Sequence, residues 1–145
     1  MSTTTRTVSA TPEQVWEVLS DGWLYPLFVV GASRMRDVDE SWPAVGARLH
    51  HSVGTWPLLI DDTTEVVEVD EGKRILLLAR GWPAGQAHVD ISLQPSGDTT
   101  VVTITEDATA GPGTLTPKPL RDAQLHVRNV EALRRLSFLV EGRTR

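Results

Sequence analysis

From residue 32 onward the chain alternates apolar and polar positions with a period of two, in six short blocks: 33–39, 47–54, 58–69, 74–80, 86–94 and 99–106. Successive side chains of a strand point to opposite faces, so each block predicts a strand. The clearest is 86–94: Ala87, Val89, Ile91 and Leu93 share one face, and His88, Asp90 and Ser92 share the other. One side of that strand meets a core and the other meets water. The segments between blocks are turn chemistry: Trp42-Pro43-Ala44-Val45-Gly46, Gly54-Thr55-Trp56-Pro57, Asp70-Glu71-Gly72-Lys73, Gly81-Trp82-Pro83-Ala84-Gly85 and Pro95-Ser96-Gly97-Asp98. Connections this short join antiparallel neighbours. The polar, threonine-rich stretch Thr3–Ser9 predicts one more strand, at an edge or end of the sheet.

Helical spacing occurs at the two ends of the pattern. Thr11 is a good N-cap, Pro12 suits the first helical position, and Gln14 stands three residues after the cap. Val15, Val18 and Leu19 follow at helical spacing, and Ser20-Asp21-Gly22 ends the helix. A second short helical or irregular piece, Trp23 to Val30, is rich in large apolar residues. After a Gly/Pro-rich loop, Ala108 to Pro119, the stretch Leu120–Glu141 has no Pro or Gly and predicts one long helix, with Gly142 at its C-terminal cap. At 22 residues it would extend roughly 33 Å. It alone is long enough to cover a sheet of this size. The expected fold is α+β: a seven-stranded antiparallel sheet, two short helices after the first strand and a long closing helix, with residues 1–145 as one domain.

The order of these motifs resembles the START/Bet v 1-like helix-grip superfamily (SRPBCC) and, within it, the bacterial polyketide cyclase/dehydrase-like group. The resemblance spans nearly the whole chain. It rests on the opening strand followed by Ser9-Ala10-Thr11-Pro12-Glu13-Gln14-Val15-Trp16-Glu17-Val18-Leu19-Ser20-Asp21, and on Val45-Gly46 leading into a strand. It rests also on Thr64-Glu65-Val66-Val67-Glu68-Val69-Asp70 before Arg74-Ile75-Leu76, on Gly97 to Thr103, and on Arg128-Asn129-Val130-Glu131-Ala132-Leu133-Arg134-Arg135-Leu136 in the closing helix. It implies a sheet wrapped around the last helix and an internal, mostly apolar cavity. The superfamily includes cyclases, lipid carriers, hormone receptors and chaperone regulators, so the fold does not fix the function.

Composition narrows the chemistry. The chain has no cysteine, which excludes disulfides, thiolate catalysis and thiolate zinc sites. A net charge of −5 with no basic run argues against nucleic acid. No run approaches a membrane span, and the expected location is the cytoplasm. No metal-ligand spacing, phosphate-binding glycine motif, Rossmann fingerprint or nucleophile elbow is present, so no metal and no cofactor are expected. His50 and His51 are adjacent in a strand, point to opposite faces, and cannot ligate one ion together.

The closing helix carries the best site candidates. At 100° per residue, Leu125, Leu133, Leu136 and Val140 fall on one side, and Arg121, Gln124, Arg128, Glu131 and Arg135 fall opposite. Asp122, His126 and Asn129 interrupt the apolar side in one row. Either they line a cavity near its mouth, with Asp122 orienting His126 as a general base, or Asp122 and His126 belong to an ordinary helix start. Glu106 shares a face with Val102 and Ile104 and is expected to face an apolar wall as an acid or base, unless the strand frays there. Trp23, Tyr25, Phe28, Trp42, Trp56 and Trp82 could stack on a flat ligand at the entrance or serve as core and loop plugs. Tyr25 is the single tyrosine and the single phenol available to a ligand. The ligand-lining set expected is Asn129, His126, Leu125, Leu133, Glu106, Trp23, Tyr25 and Phe28, with the loop 108–119 as a gate over it. Three functions fit this reading. The first is binding of a hydrophobic, ring-containing small molecule, by a monomer or homodimer. The second is a cofactor-independent cyclase, dehydratase or isomerase drawing on Glu106, His126, Asp122 and Tyr25. The third is a partner-binding regulatory module.

Overall fold

In the computed structural model, which describes residues 1–30, 32–53, 60–81, 85–110, 115 and 117–143, the chain opens with strand β1 (Ser2–Val8). Helix α1 (Pro12–Leu19) follows, and then a 3₁₀ turn, Gly22–Leu27. The expected capping box forms: Gln14 N–H donates to Thr11 Oγ1 at 3.3 Å, and Thr11 N–H donates to Gln14 Oε1 at 2.8 Å. Gly22 leads into the 3₁₀ turn at a point where no side chain fits. A Cβ there would lie 2.5 Å from Leu49 and 2.7 Å from Val38.

Six strands follow: β2 (Ala32–Val38), β3 (Arg48–Val53), β4 (Ile60–Asp70), β5 (Arg74–Gly81), β6 (Gly85–Ser96) and β7 (Thr99–Ala110). Helix α2 (Lys118–Arg143) closes the chain. The strands form one seven-stranded antiparallel sheet in the order β1-β7-β6-β5-β4-β3-β2. β2 to β7 is thus a meander of neighbours, and β1 adds to its far edge. Polar β1 sits where its composition predicts, on an edge.

Two boundaries differ from the sequence pattern. β7 runs four residues past Glu106, because Asp107, Ala108 and Ala110 continue the ladder with His88, Ala87 and Gln86 of β6. Residues 108–110 therefore belong to a strand and not to a loop. Helix α2 begins at Lys118, taking Pro119 into its first turn, where a missing N–H costs nothing. It continues through Gly142, so that glycine does not cap it. The rest of the expected gate, 111–114 and 116, lies outside the described residues, as do Trp56 and Trp82.

The inner face of the sheet follows from the register. Ile75, Ile91 and Ile104 stand opposite one another across β5, β6 and β7. Leu77 and Val89 form the next row, ending in Glu106 and Ser2. In β4, Thr64 and Val66 point inward, and a bulge between Val66 and Glu68 turns Val69 inward as well. That extra residue is why a strict period of two leaves 58–69 ambiguous. Leu133, Leu136 and Val140 of α2 pack onto this face with Val8, Val15, Leu19 and Val102 as one core.

Candidate functional site

The inner face is not uniformly closed. At the end near Val8 and Thr100, the inward-facing Val8, Thr100 and Val102 are fully buried. At the other end, Ala79, Ala87, Val89 and Ala108 remain partly exposed although they face inward. Helix α2 runs alongside β1 in the same direction, from Asp122 near Met1, past His126 at Thr4, to Glu141 at Ser9. It shows the same gradient: Leu125 is partly exposed, while Leu133, Leu136 and Val140 are sealed. The open end therefore lies under the first half of α2. The helix's polar row is there.

Asn129 is 4% exposed, and its Nδ2 has no hydrogen-bond partner. It sits on the apolar arc that the helical spacing assigns to it. Glu106 is 5% exposed and inward-facing, as its alternation with Val102 and Ile104 predicts. It does not face an apolar wall alone: the Arg128 guanidinium donates to its Oε2. The helical wheel puts Arg128 outside. Its long, half-exposed side chain reaches back over the rim to place the guanidinium on the carboxylate.

The expected pairing of Asp122 with His126 does not form. Asp122 accepts from the Met1 ammonium at 2.7 Å and lies 3.8 Å from Lys118 Nζ. The Met1 ammonium holds its carboxyl below the ordinary value, with Lys118 adding to the effect. His126 is exposed, and its Nδ1 lies 3.0 Å from the buried Thr4 hydroxyl. These two residues thus tie α2 to β1.

The aromatics divide in the same way. Phe28 is buried against Tyr25, with ring centroids 4.8 Å apart, and Tyr25 meets Trp42 edge-on at 5.3 Å. Tyr25 Oη donates to the Leu19 carbonyl at 2.9 Å, and Trp42 Nε1 donates to the same oxygen at 3.2 Å. Both donors satisfy the open C-terminal end of α1. Tyr25 is therefore not free to act as an acid: its hydroxyl is committed, and burial pushes its pKa well above the ordinary range. Trp23 is 54% exposed and belongs to the surface. Leu133 is core, at the sealed end.

A third polar feature is absent from the sequence-derived set. His51, 7% exposed, points inward from β3, and its Nε2 lies 2.9 Å from Thr64 Oγ1. Desolvation lowers its pKa, opposed by nearby Asp62. Alternation separates it from His50, which lies 2.8 Å from Asp39 on the other face, but alternation alone does not say which of the two is inside. The signal available is Leu49, two residues before His51 and strongly apolar. Among the described residues no three His, Asp or Glu side chains gather as a metal-holding group, and no helix is long and apolar enough to cross a membrane.

Comparison with known proteins agrees with this architecture. The chain resembles protein NE0264 from Nitrosomonas europaea at 18% identity and a TM-score of 0.74, covering 98% of this chain and 94% of that one. It resembles Ara h 8.0201 at 12% identity and a TM-score of 0.71, covering 97% and 96%. It resembles Aha1 from Colwellia psychrerythraea, whose structure is that of a dimer, at 13% identity and a TM-score of 0.67, covering 97% and 95%. At such identities these likenesses speak for the helix-grip fold alone. No curated protein matches the sequence. Residues 2–136 match the family described as polyketide cyclase/dehydrase and lipid transport, and with that match over nearly its whole length the chain belongs to this family.

Proposed function

We propose that the protein binds a hydrophobic, ring-containing small molecule between the first half of α2 and the open end of the sheet's inner face. The observation that carries this reading is Asn129: a buried amide whose Nδ2 has no partner, on an otherwise apolar arc. An unpaired buried donor costs about 1–3 kcal/mol, and a ligand acceptor would relieve that cost. The partly exposed Ala79, Ala87 and Val89 supply the apolar floor. The family description, which joins polyketide chemistry with lipid transport, is in keeping with such a ligand. Native mass spectrometry of protein purified from its own host tests the reading. A non-covalent adduct released on denaturation is expected. Protein that carries no adduct and binds no apolar dye would overturn it.

A second reading, a cofactor-independent cyclase or dehydratase, is favoured by one observation. Buried Glu106 on the inner face is paired with the half-exposed Arg128 of the helix that carries Asn129. In that reading Glu106 carries the proton and Arg128 stabilises an oxyanion. Asp122, bound to the Met1 ammonium, and Tyr25, bound to the Leu19 carbonyl, have no part in it. Turnover lost in Glu106→Gln, with ligand binding retained, is the expected result. Turnover that survives the change removes this reading.

A further inference from the structure

On the wall of the sheet opposite β1 and β7, His51 repeats the situation of Asn129. It is buried and inward-facing, and its Nδ1 has no hydrogen-bond partner. Its ring is fixed by Thr64 at Nε2, and the Thr63 carbonyl nearby favours a ring N–H. Burial favours the neutral ring, which holds one proton and leaves one nitrogen as an acceptor. In the tautomer that places the ring proton on Nε2, toward Thr64, that acceptor is Nδ1.

What lies beside His51 gives the unpaired nitrogen its meaning. Thr64 stands opposite Ala79, Ala79 opposite Ala87, and Ala87 opposite Ala108. This is a row of small side chains across the inner face, all three alanines partly exposed. The neighbouring row is Val66, Leu77, Val89 and Glu106. The step from large to small side chains lies at the open end of the inner face, where His51 stands on the β3 side and Asn129 on helix α2.

We propose that His51 is a binding residue of this pocket: its Nδ1 accepts from a hydroxyl on a flat, hydroxylated ring compound lying along the alanine row, while Asn129 donates to a carbonyl of the same ligand. The inference rests on the pocket reading given above and adds the polarity of the ligand to it. A wholly apolar lipid would leave both buried groups unpaired. A hydroxylated polycyclic ketone satisfies both.

The test uses alizarin, which carries hydroxyls and carbonyls on a flat ring system, and anthraquinone, which carries the carbonyls alone. The wild-type protein is expected to bind alizarin on the order of tenfold tighter than anthraquinone, the worth of about one buried hydrogen bond. In His51→Phe this preference should shrink to about twofold or less, with anthraquinone affinity kept. An undiminished preference in His51→Phe overturns the assignment of His51 and leaves the pocket standing. Failure of both compounds to bind the wild type overturns the pocket and His51 together. Should His51→Phe not fold, the imidazole nitrogen resonances of the wild type decide the matter. Alizarin, and not anthraquinone, must move the Nδ1 signal; an Nδ1 signal unmoved by bound alizarin overturns the proposal.

Discussion

The two ends of α2 are built from the same helix and face the same sheet, yet they do different things. Leu133, Leu136 and Val140 are sealed against Val8, Val102 and α1. One turn to two turns earlier, Leu125 is partly exposed and Asn129 keeps an unpaired amide. The sealed end holds the fold together, and the open end retains groups that folding alone leaves unsatisfied. Polar atoms buried without partners are rare in native proteins, so where they cluster they mark a place shaped for something else.

That contrast can be broken or sharpened by substitution. The largest effect is expected at the sealed end: Leu136→Ala should destabilise by about 2–5 kcal/mol in chemical denaturation, whereas Leu125→Ala should cost under about 1 kcal/mol. Equal losses would abolish the distinction. Next comes Arg128→Met, which strands the Glu106 carboxylate. Because Arg128 is partly exposed, a loss of about 1–3 kcal/mol is expected, and adding Glu106→Gln should restore much of it. A double variant no better than the single would show that Arg128 stabilises by packing.

A smaller effect is expected from His51 and pH. Its folded-state pKa lies below that of the unfolded chain, so the folded state takes up its proton later. Its contribution is complete above the unfolded histidine value of about 6.5 and declines as pH falls through that value toward the folded one. Denaturation midpoints taken down that range should fall for the wild type and fall less for His51→Phe. Identical slopes would remove His51 as the source. The smallest effect on folding belongs to Asn129→Leu: near zero or slightly stabilising, since it removes an unpaired amide, together with weaker binding of a carbonyl ligand such as anthraquinone. A destabilised Asn129→Leu that binds anthraquinone normally would instead make Asn129 a structural residue.

What the chain's pattern reveals is local. The capping box at Thr11 and Gln14, the alternation of 86–94 and the apolar arc of α2 are set by residues a few positions apart, and all of them form. The inward turn of Glu106 and the burial of Asn129 are legible for the same reason, because each follows from the period of its own element. What escapes is long-range. Arg128 reaches Glu106 22 positions away, around the rim of its helix, and Asp122 meets the Met1 ammonium in place of His126. Tyr25 and Trp42 converge on the Leu19 carbonyl, which no spacing rule connects. The bulge in β4 shifts the inward set by one residue, so Val69 cannot be placed by counting.

The position of β1 has a consequence for how the protein assembles in time. Hairpins from β2 to β7 join strands adjacent in the chain, so each closes a short loop. The β1–β7 seam joins residues such as Thr3 and Thr105, 102 positions apart, and α2 then docks along β1. Closing so long a loop is entropically slow and is repaid only when the seam and helix form together. The meander is therefore expected to collapse first, with β1 and α2 joining late. Substitutions in the seam, such as Val8→Ala, should then mainly hasten unfolding, while those among β4 to β6 should slow folding.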